Sequence, residues 1–406
     1  MVVRGDQLPG LAGAEIDRLR LIALGADGQA RPIPYQIDQR DQAGYYVLPH
    51  PLTTGKRSYL SRTWAANDAD GNTLDANDEL AFRLADAGEK AGSVAAFPGA
   101  AKLTEIQLAD RQGRRGWVYL AAYASDPPPP AARGEVRYDS SVDAVTSDCY
   151  VARFRPGRAD ITLSGLQLRE GDGAEILDRM KVRLTIDPII GPREEYTEDD
   201  YASALAGYAA GPVRMIRIAE HNLHLGPLLD ARLQVVSTFS RELMTLSARL
   251  YVPVTAGSLV RQIFLRVGPD LTNAATGVQF YPSCRSPVTV DGRMDSAERN
   301  LVTNEPTWLA WSGRGATMFF FGRAVPPARL PTKLFYLDDA RANVGPDREP
   351  GAWGQGAYEI DLLSLKKGFA NFFYSIALFP GSYRPGLEDT ARELVSPPVQ
   401  ASAREL

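Results

Sequence analysis

The chain consists of short segments rich in β-branched and aromatic residues, separated by clusters of Gly, Pro, Asn and Asp. Clear examples are residues 116–123, 181–186, 231–236 and 318–321. The 36 Gly and 29 Pro supply enough turn-forming residues to connect many such segments. Strand patterns do not alternate with helix patterns, which argues against a parallel α/β fold. The sequence therefore predicts an all-β, mostly antiparallel protein.

Residues 181–186 have the clearest strand pattern. Apolar and polar side chains alternate there, with Val182, Leu184 and Ile186 set between Lys181, Arg183 and Thr185. Because successive side chains of a strand point to opposite faces, this pattern predicts one buried and one solvent-exposed face.

Two segments have helix signals. Residues 197–200 read as a capping box before the Ala-rich residues 201–210, which end at a Gly-Pro pair. Residues 387–395 form a second candidate, followed by two prolines. We expect one or two short helices among many strands.

A run of four prolines at 127–130 marks the clearest boundary. Consecutive prolines favour an extended, semi-rigid segment. We predict a small β-sandwich domain over residues 1–125, a linker over 126–133 and a larger β-sandwich domain over 134–406. A long surface loop within one domain is the alternative.

Charge and hydropathy limit the partners. The net charge is −4 and no dense Lys/Arg run exists, so nucleic acid is not an expected partner. No apolar run approaches the roughly 18 residues of a membrane-spanning segment. The first residues are polar and form no secretory signal, but the first strand-like run, residues 19–24, begins only about ten residues after Pro9. We therefore expect that a native leader has been removed and Met1 added. The two cysteines, Cys149 and Cys284, leave one disulfide and two buried thiols equally open.

Residues 67–79 contain eight Asp, Asn or Glu among thirteen residues. Such a density of oxygen ligands predicts either a calcium loop or a turn held by side-chain-to-backbone hydrogen bonds. An EF-hand register places Thr73 where glycine is required, so this is not an EF-hand. The candidate metal ligands are Asp68, Asp70, Asn72, Asp75, Asp78 and Glu79.

A second group of candidates lies between residues 196 and 224. A polysaccharide lyase needs a cation to neutralise the uronate carboxylate and a base to take a proton. Arg, Tyr and His serve these roles, and the candidate catalytic residues are Tyr201, Arg214, His221 and His224. The alternative is an ordinary polar strand face. The sequence gives little support for a zinc site, because the pair His221 and His224 has no third ligand nearby.

Aromatic residues concentrate in the last hundred positions. They could line a glycan groove or simply pack the core. The candidate ligand-binding residues are Trp308, Trp311, Trp353 and Tyr358, with Phe372, Phe373, Tyr374 and Tyr383 in the same group.

Two motifs resemble a known pattern. Residues 31–38 read Arg-Pro-Ile-Pro-Tyr-Gln-Ile-Asp, and residues 74–82 read Leu-Asp-Ala-Asn-Asp-Glu-Leu-Ala-Phe. This pattern resembles the opening β domain of poorly characterised bacterial envelope proteins, some of them linked to polysaccharide use. The resemblance implies a secreted or periplasmic β-sandwich with a larger carbohydrate-handling sandwich behind it. It covers about 70 residues and carries no catalytic residues over to the rest of the chain.

These observations predict a periplasmic or extracellular envelope protein that binds a glycan or another envelope component without catalysis. One alternative is a polysaccharide lyase or hydrolase that uses residues 196–224. Another is a structural protein that assembles by strand addition, and a homo-oligomer is left open.

Overall fold

The computed structural model describes residues 1–51, 64–65, 68, 71–131, 134–169, 171–225, 229–283, 285–301, 305–325, 330–341 and 351–406. The chain divides into two compact units. Unit 1 contains Met1–Arg137, Gly207–Met215 and Ser396–Leu406, and unit 2 contains Tyr138–Ala206 and Ile216–Val395. One boundary lies close to the proline run. Unit 1 also includes the later segments 207–215 and 396–406, which lie outside the predicted range 1–125.

The strands confirm the all-β class. Those before residue 170 are β1 (Val2–Arg4), β2 (Leu19–Leu24), β3 (Ala30–Pro32), β4 (Tyr35–Asp38), β5 (Tyr46–Val47), β6 (His50–Pro51), β7 (Trp64–Ala65), β8 (Glu79–Phe82), β9 (Ala100–Ala109), β10 (Arg115–Tyr123), β11 (Val136–Asp139), β12 (Ala144–Ser147), β13 (Tyr150–Arg153) and β14 (Gly165–Leu168). The later strands are β15 (Glu175–Pro188), β16 (Glu194–Tyr196), β17 (Tyr201–Ala210), β18 (Met215–Leu225), β19 (Leu229–Phe239), β20 (Leu243–Val252), β21 (Val260–Leu271), β22 (Gln279–Pro282), β23 (Val288–Thr289), β24 (Leu309–Gly313), β25 (Ala316–Val325), β26 (Thr332–Leu337), β27 (Gln355–Asp361), β28 (Gly368–Pro380) and β29 (Gln400–Glu405). The helices are α1 (Ser296–Arg299) and α2 (Leu387–Val395).

Unit 1 is built on two antiparallel sheets. One has the order β1-β8-β4 and the other has the order β29-β9-β10-β2-β3. Their apolar side chains form one core, which includes Val3, Leu21, Leu80, Phe82, Ile106 and Leu120. The short strands β5 and β7 pair in parallel.

Unit 2 is built on two larger sheets. One has the order β11-β12-β13-β14-β15-β21-β27-β26, with β16 beside β15. The other has the order β23-β22-β24-β25-β28-β20-β19-β18-β17-β6, in which β6 and the end of β17 belong to unit 1. The inner faces of the two sheets meet, as where the Tyr358 hydroxyl on β27 donates to the Phe320 carbonyl on β25 at 3.1 Å.

Residues 201–210 form strand β17, so the helix predicted there is wrong. The Thr197 side chain caps only a single 3-10 turn, Glu198–Asp200. The following chain pairs with β6, and a Cβ on Gly207 would lie 2.6 Å from the His50 carbonyl oxygen. Sheet pairing outweighs the modest helix preference of alanine.

The second predicted helix is confirmed as α2. It packs against the sheet and covers Trp308 and Phe319. No helix in the described ranges is long and apolar enough to cross a membrane.

Residues 180–184 of strand β15 are buried on both faces, which corrects the expectation of one wet face there. Lys181 is 1% exposed, and its Nζ lies 2.8 Å from an Asp270 carboxylate oxygen. Arg183 is also buried and forms an ion pair with Glu198. The polar side of the pattern therefore faces buried counter-ions instead of water.

Candidate functional site

The two sequence motifs meet in unit 1 around one arginine. Strands β4 and β8 pair so that Asp38 lies opposite Glu79. Arg214 bridges them, with Nε 2.7 Å from Asp38 Oδ2 and Nη2 2.5 Å from Glu79 Oε2. The Gln36 side-chain oxygen accepts from the Arg214 backbone N–H at 2.8 Å. The motifs thus fix a chain segment that lies more than a hundred residues later in the sequence.

This group is a buried charge cluster. Arg214 is 9% exposed. Glu79 also accepts hydrogen bonds from Arg40 Nε and the Tyr46 hydroxyl, both at 3.0 Å. Burial by itself raises the pKa of Glu79, but Arg214 and Arg40 together hold that pKa below its usual value. Arg214, predicted as catalytic, therefore neutralises the carboxylates of the motifs.

A cavity of about 500 Å³ in unit 1 is lined by several motif residues, including Tyr35, Gln36 and Asp38. Several of its polar groups are bonded to the protein. Arg20, which also lines it, donates to the carbonyls of Leu19 and Pro128 at 2.6 and 2.5 Å. The Tyr35 hydroxyl donates to the Leu19 carbonyl. Arg20 and the Tyr35 hydroxyl are therefore held by backbone carbonyls of the protein.

The acidic segment folds as a turn where the structure describes it. Asp75 Oδ1 accepts from the backbone N–H groups of Asn77 and Asp78 at 2.8 and 3.1 Å. Asp78 in return accepts from the backbone N–H groups of Asp75 and Arg40 at 3.0 and 2.9 Å. Asp78 is fully buried, and burial raises its pKa to about 6.

The other candidate metal ligands that the structure describes form no metal-binding group with this turn. The Asn72 amide donates to Asp17 at 2.9 Å, and Glu79 belongs to the Arg214 cluster. Asp68 is half-buried, and Asp70 lies outside the described residues. No group of three or more His, Cys, Asp or Glu in the described ranges is placed to hold a metal ion. The side-chain hydrogen bonds of a turn account for Asp75 and Asp78.

Of the four predicted catalytic residues, the structure brings two together in unit 2. Tyr201 and His221 make an edge-to-face contact with ring centroids 6.5 Å apart. His221 Nδ1 lies 2.8 Å from Ser203 Oγ. The imidazole is 3% exposed, and burial, with a smaller contribution from Arg217, lowers its pKa to about 3. His221 is thus neutral and out of reach of a polymer.

His224 is separate from this pair. On strand β18, residues three apart point to opposite faces, so His224 faces outward while His221 faces inward. His224 is exposed and lies 2.7 Å from an Asp230 carboxylate oxygen.

Cys149 is buried, and Cys284 lies outside the described residues.

The predicted aromatic ligand residues lie mostly in the core of unit 2. Trp308, Trp311 and Tyr358 are 7%, 2% and 1% exposed, so they present no ring face to solvent. Trp311 Nε1 donates to the Gly354 carbonyl at 2.9 Å. Trp353 is half-buried. Core packing accounts for the three buried rings.

Exposed aromatic residues, among them the candidate Phe373, lie on the outer face of the ten-stranded sheet. Along β28, Phe369 and Phe373 are 41% and 36% exposed, with Asn371 between them. Tyr251, Arg249 and Ser247 on β20 lie opposite these three, and Arg323 on β25 lies opposite Phe373. We name this set the β28 face: Ser247, Arg249, Tyr251, Arg323, Phe369, Asn371 and Phe373.

An arginine lies over the ring of each exposed phenylalanine of the β28 face. Arg249 Cζ lies 4.0 Å from the Phe369 ring centroid, and Arg323 Cζ lies 5.4 Å from that of Phe373. The Tyr251 ring is 5.3 Å from the Phe369 ring. In the described part of the chain neither arginine has a carboxylate partner. The face therefore combines apolar rings with guanidinium groups that remain able to bind an anion.

The uncovered position of the β28 face follows from the length of α2. This helix packs on the same side of the sheet, over Trp308, Phe319 and Ala377. The helix covers β28 near Ala377. Farther along the strand, Phe373 and Phe369 are exposed.

Phe369, Arg249 and Arg323 were not among the sequence candidates. The available signal was the period-two spacing of Phe369, Asn371 and Phe373 within one strand, which places all three on one face. The pairing of β28 with β20 and β25 is a long-range feature, so the arginines could not be assigned to it.

Comparison with known proteins finds similarity in fold. No protein-family model matches the sequence, and no curated protein matches it. The chain is similar in structure to an α-mannosidase from Enterococcus faecalis V583, with 10% identity, a TM-score of 0.51 and coverage of 96% of this chain and 40% of that chain. A protein in glycosyl hydrolase family 38 from Enterococcus faecalis has 10% identity, a TM-score of 0.44 and coverage of 74% and 42%. A GalM/aldose epimerase homologue from C. elegans has 9% identity, a TM-score of 0.34 and coverage of 58% and 97%. The first similarity shows a shared fold. This chain spans less than half of the length of that α-mannosidase.

Proposed function

We propose that this protein binds an anionic polysaccharide on the β28 face and does not cleave it. One observation carries the proposal. Phe369 and Phe373 expose their rings, and each is accompanied by an arginine that has no carboxylate partner in the described ranges.

The chemistry of the face suits a uronic acid polymer. The C–H face of a sugar ring packs on an aromatic ring, and an arginine fork binds a carboxylate with two parallel hydrogen bonds. Phe369 and Phe373 are four residues apart on one strand, which is about 13 Å. That separation allows two different sugar units of one chain to be bound.

Binding without cleavage is favoured by the residue types. Glycoside hydrolysis needs a pair of carboxyl groups, and proton abstraction needs a positioned base. The seven residues that define the β28 face include neither a carboxylic acid nor a histidine. His221 and Tyr201 lie on the inner side of the same sheet, away from this face.

The comparisons are compatible with a glycan partner. The α-mannosidase is, by its name, a sugar-acting enzyme, although the likeness at 10% identity is one of fold. The resemblance of the β4 and β8 motifs to envelope proteins supports a periplasmic or extracellular location. Cell fractionation checks this location, and recovery of the native protein in the cytosol contradicts it.

The test is binding to soluble polygalacturonate, with dextran as a neutral polymer, measured by affinity gel electrophoresis and calorimetry. We expect polygalacturonate to bind and dextran to bind much more weakly. In Phe369→Ala/Phe373→Ala, the Kd for polygalacturonate rises at least about tenfold, equal to about 1.4 kcal/mol. Phe373→Trp preserves the stacking surface and should retain binding. Reducing ends and unsaturated uronates are measured in parallel and should not increase.

Three results contradict the proposal. If polygalacturonate retains the double variant and the wild type equally, the β28 face is not the binding site. Release of products from polygalacturonate overturns the non-catalytic part. If no polymer binds and light scattering finds discrete high-mass species, assembly through this face replaces glycan binding.

A further inference from the structure

A cavity of about 150 Å³ lies inside unit 2, between the inner faces of its two sheets. Its lining comes from β18, β19, β20 and β28 on one side and from β15 and β21 on the other. Among the residues that the structure describes, no charged one lines the cavity, and nearly all of the lining is aliphatic or aromatic. Protein cores are close-packed and seldom contain voids larger than a water molecule, so an apolar space of this size is unusual.

The cavity is elongated along β20. Its lining includes Leu246, Ala248, Leu250 and Val252, which follow one another on the inner face of this strand. These positions span about 20 Å at the rise of an antiparallel strand. Ala248 on β20 and Ala231 on β19 have small side chains, which leave the space unfilled. A narrow slot fits a linear chain better than a compact ring.

The slot has an accessible end and a closed end. At one end Leu225, Ala231, Leu250, Ile263 and Leu265 are only half-buried. At the other end Val235, Leu246 and Val267 are buried. The end beside Leu250 is therefore the more accessible end of the slot, and the end at Leu246 is closed.

The closed end contains polar groups without partners. Leu246 lies between Ser237 on β19 and Tyr374 on β28, in one row across the sheet. The Tyr374 hydroxyl and Ser237 Oγ are both buried, and neither has a hydrogen-bond partner among the described residues. Tyr374 also lines the cavity. A buried hydroxyl without a partner is costly, so this end is suited to receive an oxygen atom from a ligand.

We propose that this cavity binds a medium-length alkyl chain that ends in an uncharged oxygen head group, with the head at Tyr374 and the chain along β20. The absence of a charged residue from the lining argues against an ionised head group. The size matches a modest ligand, because an apolar cavity of roughly 150 Å³ in another protein accommodates benzene. Of the seven residues that define the β28 face, Tyr251 also lines the cavity, whereas Phe369 and Phe373 lie on the other side of the sheet.

The test uses 1-octanol as the probe, with octane and octanoate for comparison, and the full chain as the protein. We expect a saturable increase of the Tm with 1-octanol, a smaller one with octane and none specific to octanoate. In Ala248→Phe, which fills the slot, the affinity for 1-octanol falls at least about tenfold, whereas the exposed Ala204→Phe binds like the wild type. In Tyr374→Phe, 1-octanol loses its advantage over octane.

Absence of saturable 1-octanol binding to the wild type overturns the proposal, as does wild-type affinity in Ala248→Phe. If circular dichroism shows that Ala248→Phe does not fold, Ala231→Phe at the accessible end replaces it, with the same two outcomes. Polygalacturonate binding is measured on each variant. It should be retained, so a failure here is distinguishable from a failure of the β28 face.

Discussion

Arg214 in unit 1 and Arg249 in unit 2 occupy opposite environments. Arg214 is buried and lies within 2.7 Å of carboxylate oxygens of both Asp38 and Glu79. Arg249 rests on the exposed ring of Phe369 and has no carboxylate partner in the described ranges. An arginine enclosed by counter-ions has its charge satisfied within the fold, whereas one stacked on an exposed ring retains donors for a ligand. The first therefore supports stability, and the second supports binding.

The largest expected effect is on the Arg214 cluster. Arg214→Met leaves Asp38 and Glu79 buried without their cation, which should lower the free energy of unfolding by about 3–5 kcal/mol. Urea unfolding of the wild type and the variant measures this. Arg31→Gln, which removes an exposed ion pair with Asp27, should cost within about 0.5 kcal/mol. A loss for Arg214→Met as small as that control contradicts the structural role.

His221 provides a second, pH-dependent effect. The unfolded imidazole binds a proton near pH 6.5, but the buried one does so only near its folded pKa of about 3. Between these values the unfolded state binds more protons, so stability falls as the pH is lowered, by about 1.4 kcal/mol per pH unit.

The measurement compares the wild type with His221→Gln. The difference between their free energies of unfolding should be constant above pH 7 and change below about pH 6, as the unfolded wild-type imidazole becomes protonated. Parallel pH profiles of the two proteins would show that His221 is not held neutral by burial.

A smaller effect is expected on the β28 face. Arg323→Gln should weaken polygalacturonate binding several-fold and reduce its dependence on salt, because one cationic contact is lost. Arg299→Gln, an exposed arginine on α1, serves as the matched control and should change neither property. Both variants should unfold at the wild-type urea concentration. An unchanged salt dependence in Arg323→Gln would separate this arginine from the site.

The smallest effect is expected at the acidic turn. Because Asp75 and Asp78 are occupied by backbone N–H groups, EDTA should leave the Tm unchanged within error. Asp78→Ala should lower the Tm with or without EDTA. A chelator-sensitive Tm in the wild type, absent in Asp70→Ala, would restore the calcium interpretation.

The sequence predicted the strands well where the pattern was local. Residues 116–123 and 318–321 lie within β10 and β25, and α2 has the predicted bounds. Residues 201–210 were misassigned because the capping box at Thr197 is a real local signal, but the chain after it pairs with β6. The return of residues 207–215 to unit 1 depends on Gln36, Asp38 and Glu79, which no local pattern links to Arg214.

The candidate site was the least predictable feature. Trp308 and Trp311 are as typical of a glycan groove as Phe369 and Phe373, but the first pair is buried and the second is exposed. A period of two specifies that alternate side chains share a face, and it does so from neighbouring residues alone. Which of the two faces becomes covered depends on α2 and on the second sheet, which come from distant parts of the chain. The class of fold was therefore readable from the amino acids, whereas the difference between a core arginine and a binding arginine arose only when the strands were assembled.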